Sequence, residues 1–489
     1  MNSSPRFKAA ALGLAVLPGT LLLASAAPVS AAPPVEETTL VSVATNGTQG
    51  DEGSYAPGTS ADGRYITYIS DASTLVAGDT NDALDVFVTD TTTGTTTRVS
   101  TATDGTQGDG PSNAPAISAD GRYITYYSEA TTLVAGDTNG ALDVFLFDTI
   151  DGTTTLVSTA INGTQANGSS FDAAISADGR YITYYSEATN LVVGDNNGAY
   201  DVFLFDATTG TTTLVSKATD GTQGDSRSYT PAISADGRYI TYYSEATTLV
   251  AGDTNGTLDV FLFDTTTGTT TLVSKATDGT QGDSISYTPR ISANGRYVTY
   301  FSYSSNLVAG DTNTSFDVFL FDTTTGTTTL VSKATDATQS DGNSYNPTIS
   351  ADGRYIAYYS DATNLVAGDT NLSPDAFLFD AVTGTTTRIS TATDGAQANS
   401  GSYLPAISAD GRYITYSSDA SNLVVGDTNS TSDVFRTRVA VPAAITPAAP
   451  DPALAATGSD PWGLLAGAVL LLAAGILVMR ARRTGHPVS

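Results

Sequence analysis

Apolar and polar positions along the chain follow the rhythm of strands rather than helices. Runs of four to six residues rich in Tyr, Ile, Val, Phe and Thr recur, such as Tyr-Ile-Thr-Tyr-Tyr at 123–127 and Val-Phe-Leu-Phe at 144–147. Between them lie stretches dominated by Gly, Asp, Asn, Ser and Thr. β-Branched and aromatic runs bounded by turn formers predict short β-strands. The runs do not alternate cleanly, so both faces are expected to be covered, as in a sheet packed between two others.

The rhythm has a fixed period. Gly-Arg-Tyr recurs with its glycine at Gly63, Gly121, Gly179, Gly237, Gly295, Gly353 and Gly411, always 58 residues apart. In the second copy the pattern predicts strands at 114–118, 123–128, 144–148 and 154–158. Turns are expected at 119–122 and 149–153, and long loops at 133–143 and from 159 to about 172. Four short strands per copy, seven times over, predict an all-β, seven-bladed β-propeller. The last copy ends after its third strand, 433–439. Its missing fourth strand stands at the other end of the chain, where Thr38-Thr39-Leu40-Val41-Ser42 repeats Thr270-Thr271-Leu272-Val273-Ser274. The N-terminal strand is therefore expected to complete the last blade and close the ring, leaving no free sheet edge. A linear solenoid would instead carry capping repeats.

The phrase Ile-Ser-Ala-Asp-Gly-Arg-Tyr-Ile-Thr-Tyr, followed by Asp-Val-Phe-Leu-Phe-Asp and a Thr-Gly turn, resembles TolB-type, WD-like propeller repeats over residues 38–439. The resemblance implies a binding or scaffolding role more often than catalysis and fixes no ligand. Alanine stands in all seven copies where that family's Ser-Pro-Asp-Gly turn has proline.

In antiparallel blades the first-to-second and third-to-fourth connections share one face, and here these are short turns that hardly vary. The opposite face carries every long loop and is the expected binding face. Ala-Asp-Gly-Arg reads as a hairpin turn with positive φ at both central residues. Asn294 replaces its Asp in the fifth copy, so these residues are assigned to structure. The Asp104-Gly105-Thr106-Gln107 stretch is assigned likewise, since Asn46 and Asn162 replace its Asp elsewhere.

One loop motif keeps both its acids in every copy. Asp-x-Asn-x-x-x-Asp occurs as Asp79/Asn81/Asp85, Asp137/Asn139/Asp143, Asp195/Asn197/Asp201, Asp253/Asn255/Asp259, Asp311/Asn313/Asp317, Asp369/Asn371/Asp375 and Asp427/Asn429/Asp433. Alternating oxygen ligands followed by a later carboxylate suit Ca²⁺, the one cofactor the sequence suggests. The spacing lacks the glutamate of an EF-hand and the third acid of integrin-type loops, which it faintly resembles. The other reading is an Asx turn whose last Asp opens a strand.

The ends are addresses. Arg6 and Lys8, a mostly apolar stretch at 9–24, and Val29-Ser30-Ala31 form a secretory signal over 1–31, ahead of a propeller domain at 32–439. Residues 440–453, with Pro442, Pro447, Pro450 and Pro452, read as an extended spacer. Leu454-Ala455-Ala456-Thr457-Gly458 precedes an apolar run at 463–479 and then Arg480, Arg482 and Arg483. That run could span about 26 Å as a helix, with its basic flank in the cytoplasm. The three parts in this order resemble the sorting signal of sortase substrates, in the class E form of high-GC Gram-positive bacteria. The resemblance implies cleavage between Thr457 and Gly458 and linkage of Thr457 to peptidoglycan. Without sorting, the helix at 459–489 would remain a membrane anchor. Both outcomes leave the body extracellular.

Composition narrows the chemistry. The chain has no Cys and a single His, His486, so a cysteine nucleophile, a disulfide framework and a histidine metal site are excluded or nearly so. A formal charge of −29 argues against nucleic acid. Sialidase-type boxes need a tryptophan that the repeats do not have, Trp462 being the only one. The expectation is a non-catalytic, wall-anchored scaffold that presents a propeller face to an extracellular protein or glycan. The alternative is a secreted carbohydrate-active hydrolase using the acidic loops.

Overall fold

The computed structural model describes residues 33–441. The signal peptide, most of the spacer, the sorting motif with Thr457 and Gly458, and the apolar run lie outside the described residues. Within them the chain forms seven four-stranded antiparallel sheets and no helix. Blade three is representative: Ser170–Ile175, Tyr181–Ser186, Asp201–Asp206 and Thr211–Leu214, hydrogen-bonded in that order.

The last blade is built from both ends of the propeller. Val35–Leu40 lies beside Asp433–Val439, with Leu40 opposite Phe435, the register that Leu272 and Phe261 take in blade four. The closing strand begins three residues earlier than Thr38. It gains Glu37 opposite Arg438 and Val35 opposite Val439.

The core is divided among the blades. Apolar residues gather between neighbouring blades, as where Val144 and Val157 of blade two meet Ile182, Tyr184 and Phe203 of blade three. The fourth residue of each second strand is a fully buried tyrosine stacked on the third-strand phenylalanine, 5.7 Å between centroids for Tyr126 and Phe145. This explains the apolar character of both strand faces.

The turn between first and second strands differs from the sequence expectation. In Ser60-Ala61-Asp62-Gly63 only the glycine has positive φ, at 71°. Gly63 N donates to Ser60 O at 3.0 Å, and the Asp62 carboxylate accepts from Ser60 Oγ and Arg64 N. The connection is thus longer than a two-residue hairpin, with the left-handed residue last. Asn294 makes the same two contacts in blade five. The glycine serves packing as well. A Cβ on Gly121 would stand 2.2 Å from the Tyr65 ring of the preceding blade.

These turns also join the blades. Ala61 N donates to Ala119 O at 3.0 Å, Ala119 to Ala177, and so on until Ala409 N donates to Ala61 O at 2.9 Å. The seven bonds form a closed ring that proline, having no N–H, could not make. Beside it, Arg–Asp pairs such as Arg64–Asp90 at 2.7 Å tie the second strand to the third, with the guanidinium over the next tyrosine ring. Six blades repeat the pair. In blade seven Arg438 stands in the aspartate's place and pairs with Glu36 at 3.2 Å.

Candidate functional site

The long-loop face brings both acids of every Asp-x-Asn-x-x-x-Asp motif together. The partner is a residue that the sequence placed only within a structural turn: the glutamine 28 positions after the first acid. In blade three, Gln223 Nε2 donates to Asp195 Oδ1 and Asp201 Oδ2, both at 2.8 Å. Its Oε1 accepts the Asn196 N–H at 3.4 Å, which fixes which way the amide faces. Asp201 also accepts from Ser216 Oγ at 2.5 Å and opens the third strand. The glutamine bridge recurs in the other blades. Gln107 joins Asp79 to Asp85, and Gln165 joins Asp137 to Asp143. Gln281 joins Asp253 to Asp259, Gln339 joins Asp311 to Asp317, and Gln397 joins Asp369 to Asp375. In blade seven Gln49 reaches Asp427 at 2.9 Å and Asp433 at 2.7 Å, so ring closure and loop chemistry share one latch. A signal was present in the sequence. Around this residue Asp, Gly and Thr all change between copies, and the glutamine never does.

Asn81, Asn139, Asn197, Asn255, Asn313, Asn371 and Asn429 each form the Asx turn of the alternative reading. In every copy Oδ1, the only oxygen the side chain could offer a cation, accepts the backbone N–H two residues on. The amide NH₂ faces the next loop instead. Asn81 donates to Gly108 O, Asn139 to Ala166 O, Asn197 to Gly224 O and Asn255 to Gly282 O, each at 3.0 Å. Asn313 donates to Ser340 O and Asn371 to Ala398 O at 2.9 Å, and Asn429 to Gly50 O at 3.0 Å. Asn139 also donates to Asp143 Oδ2 at 2.9 Å. The physical reason is local: a short side chain at a loop corner satisfies its own backbone before it can reach outward.

Burial sets the electrostatics. The strand-opening acids are inaccessible to solvent, and desolvation raises their pKa against the Ser and Gln hydrogen bonds. Asp201 and Asp259 are pushed up to about 6. Blades one and six relieve the charge differently. Arg98 and Arg388 replace the leucine that ends the fourth strand elsewhere. Arg98 Nη1 stands 3.4 Å from Asp79 and 3.8 Å from Asp85.

As built, each cluster satisfies its carboxylates with N–H and O–H donors. A calcium ion would need an oxygen where the glutamine presents its NH₂, so the amide would have to turn over and lose its backbone contact. Among the described residues no group of three acidic or histidine side chains converges. In this arrangement the acids and asparagines of the motif make rigid loops.

Two other features of this end are open to a ligand. The first is an arc of half-buried aromatic rings. Within blades, Phe171 stacks on Tyr185 at 5.2 Å and Tyr229 on Tyr243 at 5.4 Å. Between blades, edge-to-face contacts of 5.5–5.7 Å link Tyr127 to Phe171, Tyr185 to Tyr229, Tyr243 to Tyr287, Phe301 to Tyr345, and Tyr359 to Tyr403. Tyr200 and Phe316 join from the long loops. The arc runs from Tyr127 of blade two to Tyr403 of blade seven and is broken around blade one: Ile69 of blade one, Asn113 of blade two and Ser417 of blade seven stand where other blades have rings, and Tyr55 of blade one is left outside the arc.

The second is the central channel, a cavity of about 440 Å³ walled by the first strands of all blades. Each of those strands carries a bulge, with a register shift such as that between Phe171 and Ala174. The bulged residue has positive φ at Ala56, Ala114, Asp172, Thr230, Thr288, Asn346 and Leu404. The bulge also explains why the observed first strand of blade two, Ser112–Ile117, starts before the expected 114–118.

No model of a known protein family matches the sequence, and no curated protein is detectably similar to it. Solved structures do share the fold. An oligogalacturonate lyase in complex with manganese aligns at TM-score 0.50 and 13% identity, over 82% of this chain and 93% of that one. TolB from Acinetobacter baumannii aligns at 0.38 and 15%, over 62% of this chain and 59% of that protein. The structure of a TolB from Agrobacterium tumefaciens aligns at 0.37 and 19%, over 57% and 80%. At these identities the likeness is one of fold alone. The chain is an all-β, seven-bladed propeller closed by its N-terminal strand.

Proposed function

We propose that the protein is an extracellular, non-catalytic binding scaffold that holds a glycan or protein along the aromatic arc of its long-loop face. The observation that carries this reading is the arc itself: half-exposed rings held on the first two strands of the blades and joined by Tyr200 and Phe316 from the long loops, with tyrosine hydroxyls beside stacking faces. Such rings offer apolar area and hydrogen bonds to a polar chain at low entropic cost. The break at blade one gives the arc two ends and suits an extended ligand. The hydrolase alternative would draw on the loop acids, whose oxygens are engaged by glutamine and serine. Display at the wall rests on the export signal and on the sortase-like LAATG, helix and basic tail.

A glycan and peptide array probed with the protein tests the binding role. Tyr229→Ala and Tyr287→Ala should each weaken the captured ligand by about tenfold, one lost stacking contact being worth roughly 0.5–1.5 kcal/mol plus its buried area. Turnover of a glycan abolished by a single Asp→Asn change would favour the hydrolase instead. Fractionation tests the address. Thr457→Ala should shift the protein from the wall to the membrane, and detergent extraction of native protein still bearing Arg482 would overturn sorting.

A further inference from the structure

The channel carries charge that the seven-fold pattern does not explain. At the bulge position six blades place Ala, Thr, Asn or Leu, and blade three alone places an acid, Asp172. Two residues further along, five blades have Gly or Ala, blade six has Thr, and blade five alone has a base, Arg290. Both side chains line the cavity. Neither belongs to the repeating ion pairs of the fold. Among the described residues, Arg290 spends one N–H on its neighbour Pro289 O at 3.0 Å, and Asp172 receives a single long contact, 3.4 Å, from Thr230 Oγ1. The two feel one another through space, yet no direct ion pair joins them. The walls around them are otherwise alanine, proline, isoleucine and threonine.

Both side chains are half-buried in the channel wall; a partly desolvated charge without an ionic partner is unfavourable, and two opposite ones that do not meet leave room for something to lie between them. Thr230 and Thr288, β-branched residues at φ of 44° and 46°, hold the wall in a conformation such residues rarely adopt. We propose that the central channel binds a small zwitterion, its carboxylate on Arg290 and its ammonium on Asp172. The site is distinct from the aromatic arc, and its occupancy does not depend on the reading proposed for that face.

Calorimetry on the full chain with simple probes tests this. 6-Aminohexanoate should bind, while hexanoate and hexylammonium, each lacking one charge, should bind about tenfold or more weakly. Arg290→Gln should abolish the preference for 6-aminohexanoate over hexylammonium. Asp172→Asn should abolish the preference over hexanoate. Asp172→Asn keeps size and polarity, Arg290→Gln keeps polarity in a shorter side chain, and the melting profile of each reports whether it folds. Equal binding of all three six-carbon probes to the wild-type chain, or none at millimolar concentration, would overturn the proposal. So would discrimination that survives both substitutions in folded protein.

Discussion

Replacing Gln223 by alanine should destabilise the propeller in a pH-dependent way. Its NH₂ bridges Asp195 and Asp201 at 2.8 Å to each. Hydrogen bonds to charged acceptors contribute about 1.5–3 kcal/mol each, so at neutral pH the loss should be about 3–6 kcal/mol. Asp201 titrates at about 6 in the fold against 3.8 for the free side chain, because burial disfavours its charge. Folding therefore takes up a proton between those values. This residue favours the fold most below about pH 4, and that contribution is lost as pH rises through about 6. At pH 5 the Asp201 carboxyl is mostly neutral, and its lost bond falls to the neutral scale of about 1 kcal/mol. The destabilisation by Gln223→Ala should accordingly shrink by about a sixth to a third between pH 7.5 and pH 5. Gln223→Glu adds a third carboxylate and should be worse at pH 7.5, with a steeper recovery in acid. Urea unfolding at both pH values, with amide exchange at Val202 and Ser216 as a local readout, measures the effect. A loss of equal size at both pH values would refute the idea that the amide serves a buried charge. No loss at all would make the bridge incidental.

Other expectations are as direct. Deleting 33–43 removes the strand paired with Asp433–Val439 and should lower the melting temperature by many degrees and promote self-association through the bared edge. An unchanged monomer would refute ring closure as a stability element. Ala235→Pro removes the N–H donated to Ala293 O while fitting the second position of the turn. It should cost about 0.5–1.5 kcal/mol, read as a shift in urea midpoint. Tyr242→Phe discards a buried hydroxyl that meets no partner at hydrogen-bonding distance among the described residues and should leave stability unchanged or higher, whereas a clear loss would show that the neighbouring Thr270 hydroxyl bonds it. Millimolar Ca²⁺ should leave the melting temperature unmoved. A rise reversed by EGTA would show that the glutamine amides turn over to admit the ion.

The fold was legible because repetition multiplies weak signals. One run such as Tyr-Ile-Thr-Tyr-Tyr is ambiguous, but seven close variants of it at a fixed 58-residue interval specify a blade, and the surplus Thr-Thr-Leu-Val-Ser at residue 38 specifies closure. Local turn chemistry was half legible: Asp–Gly marked the turn, but its type depends on how many residues the strand ends leave over. The loop asparagines were legible as oxygen carriers, while the direction of each amide depends on a carbonyl 27 residues away, such as Gly108 O for Asn81. What the sequence could not yield is proximity. Gln49 lies 378 residues from Asp427, and no spacing rule joins them until the ring closes. The alanine of Ser-Ala-Asp-Gly looked like a departure from a proline pattern, and only the ring of turns shows its N–H in use. Asp172 and Arg290 are two irregularities 118 residues apart in the chain. They become one site because the first strand of every blade faces a common axis, a fact of tertiary geometry alone.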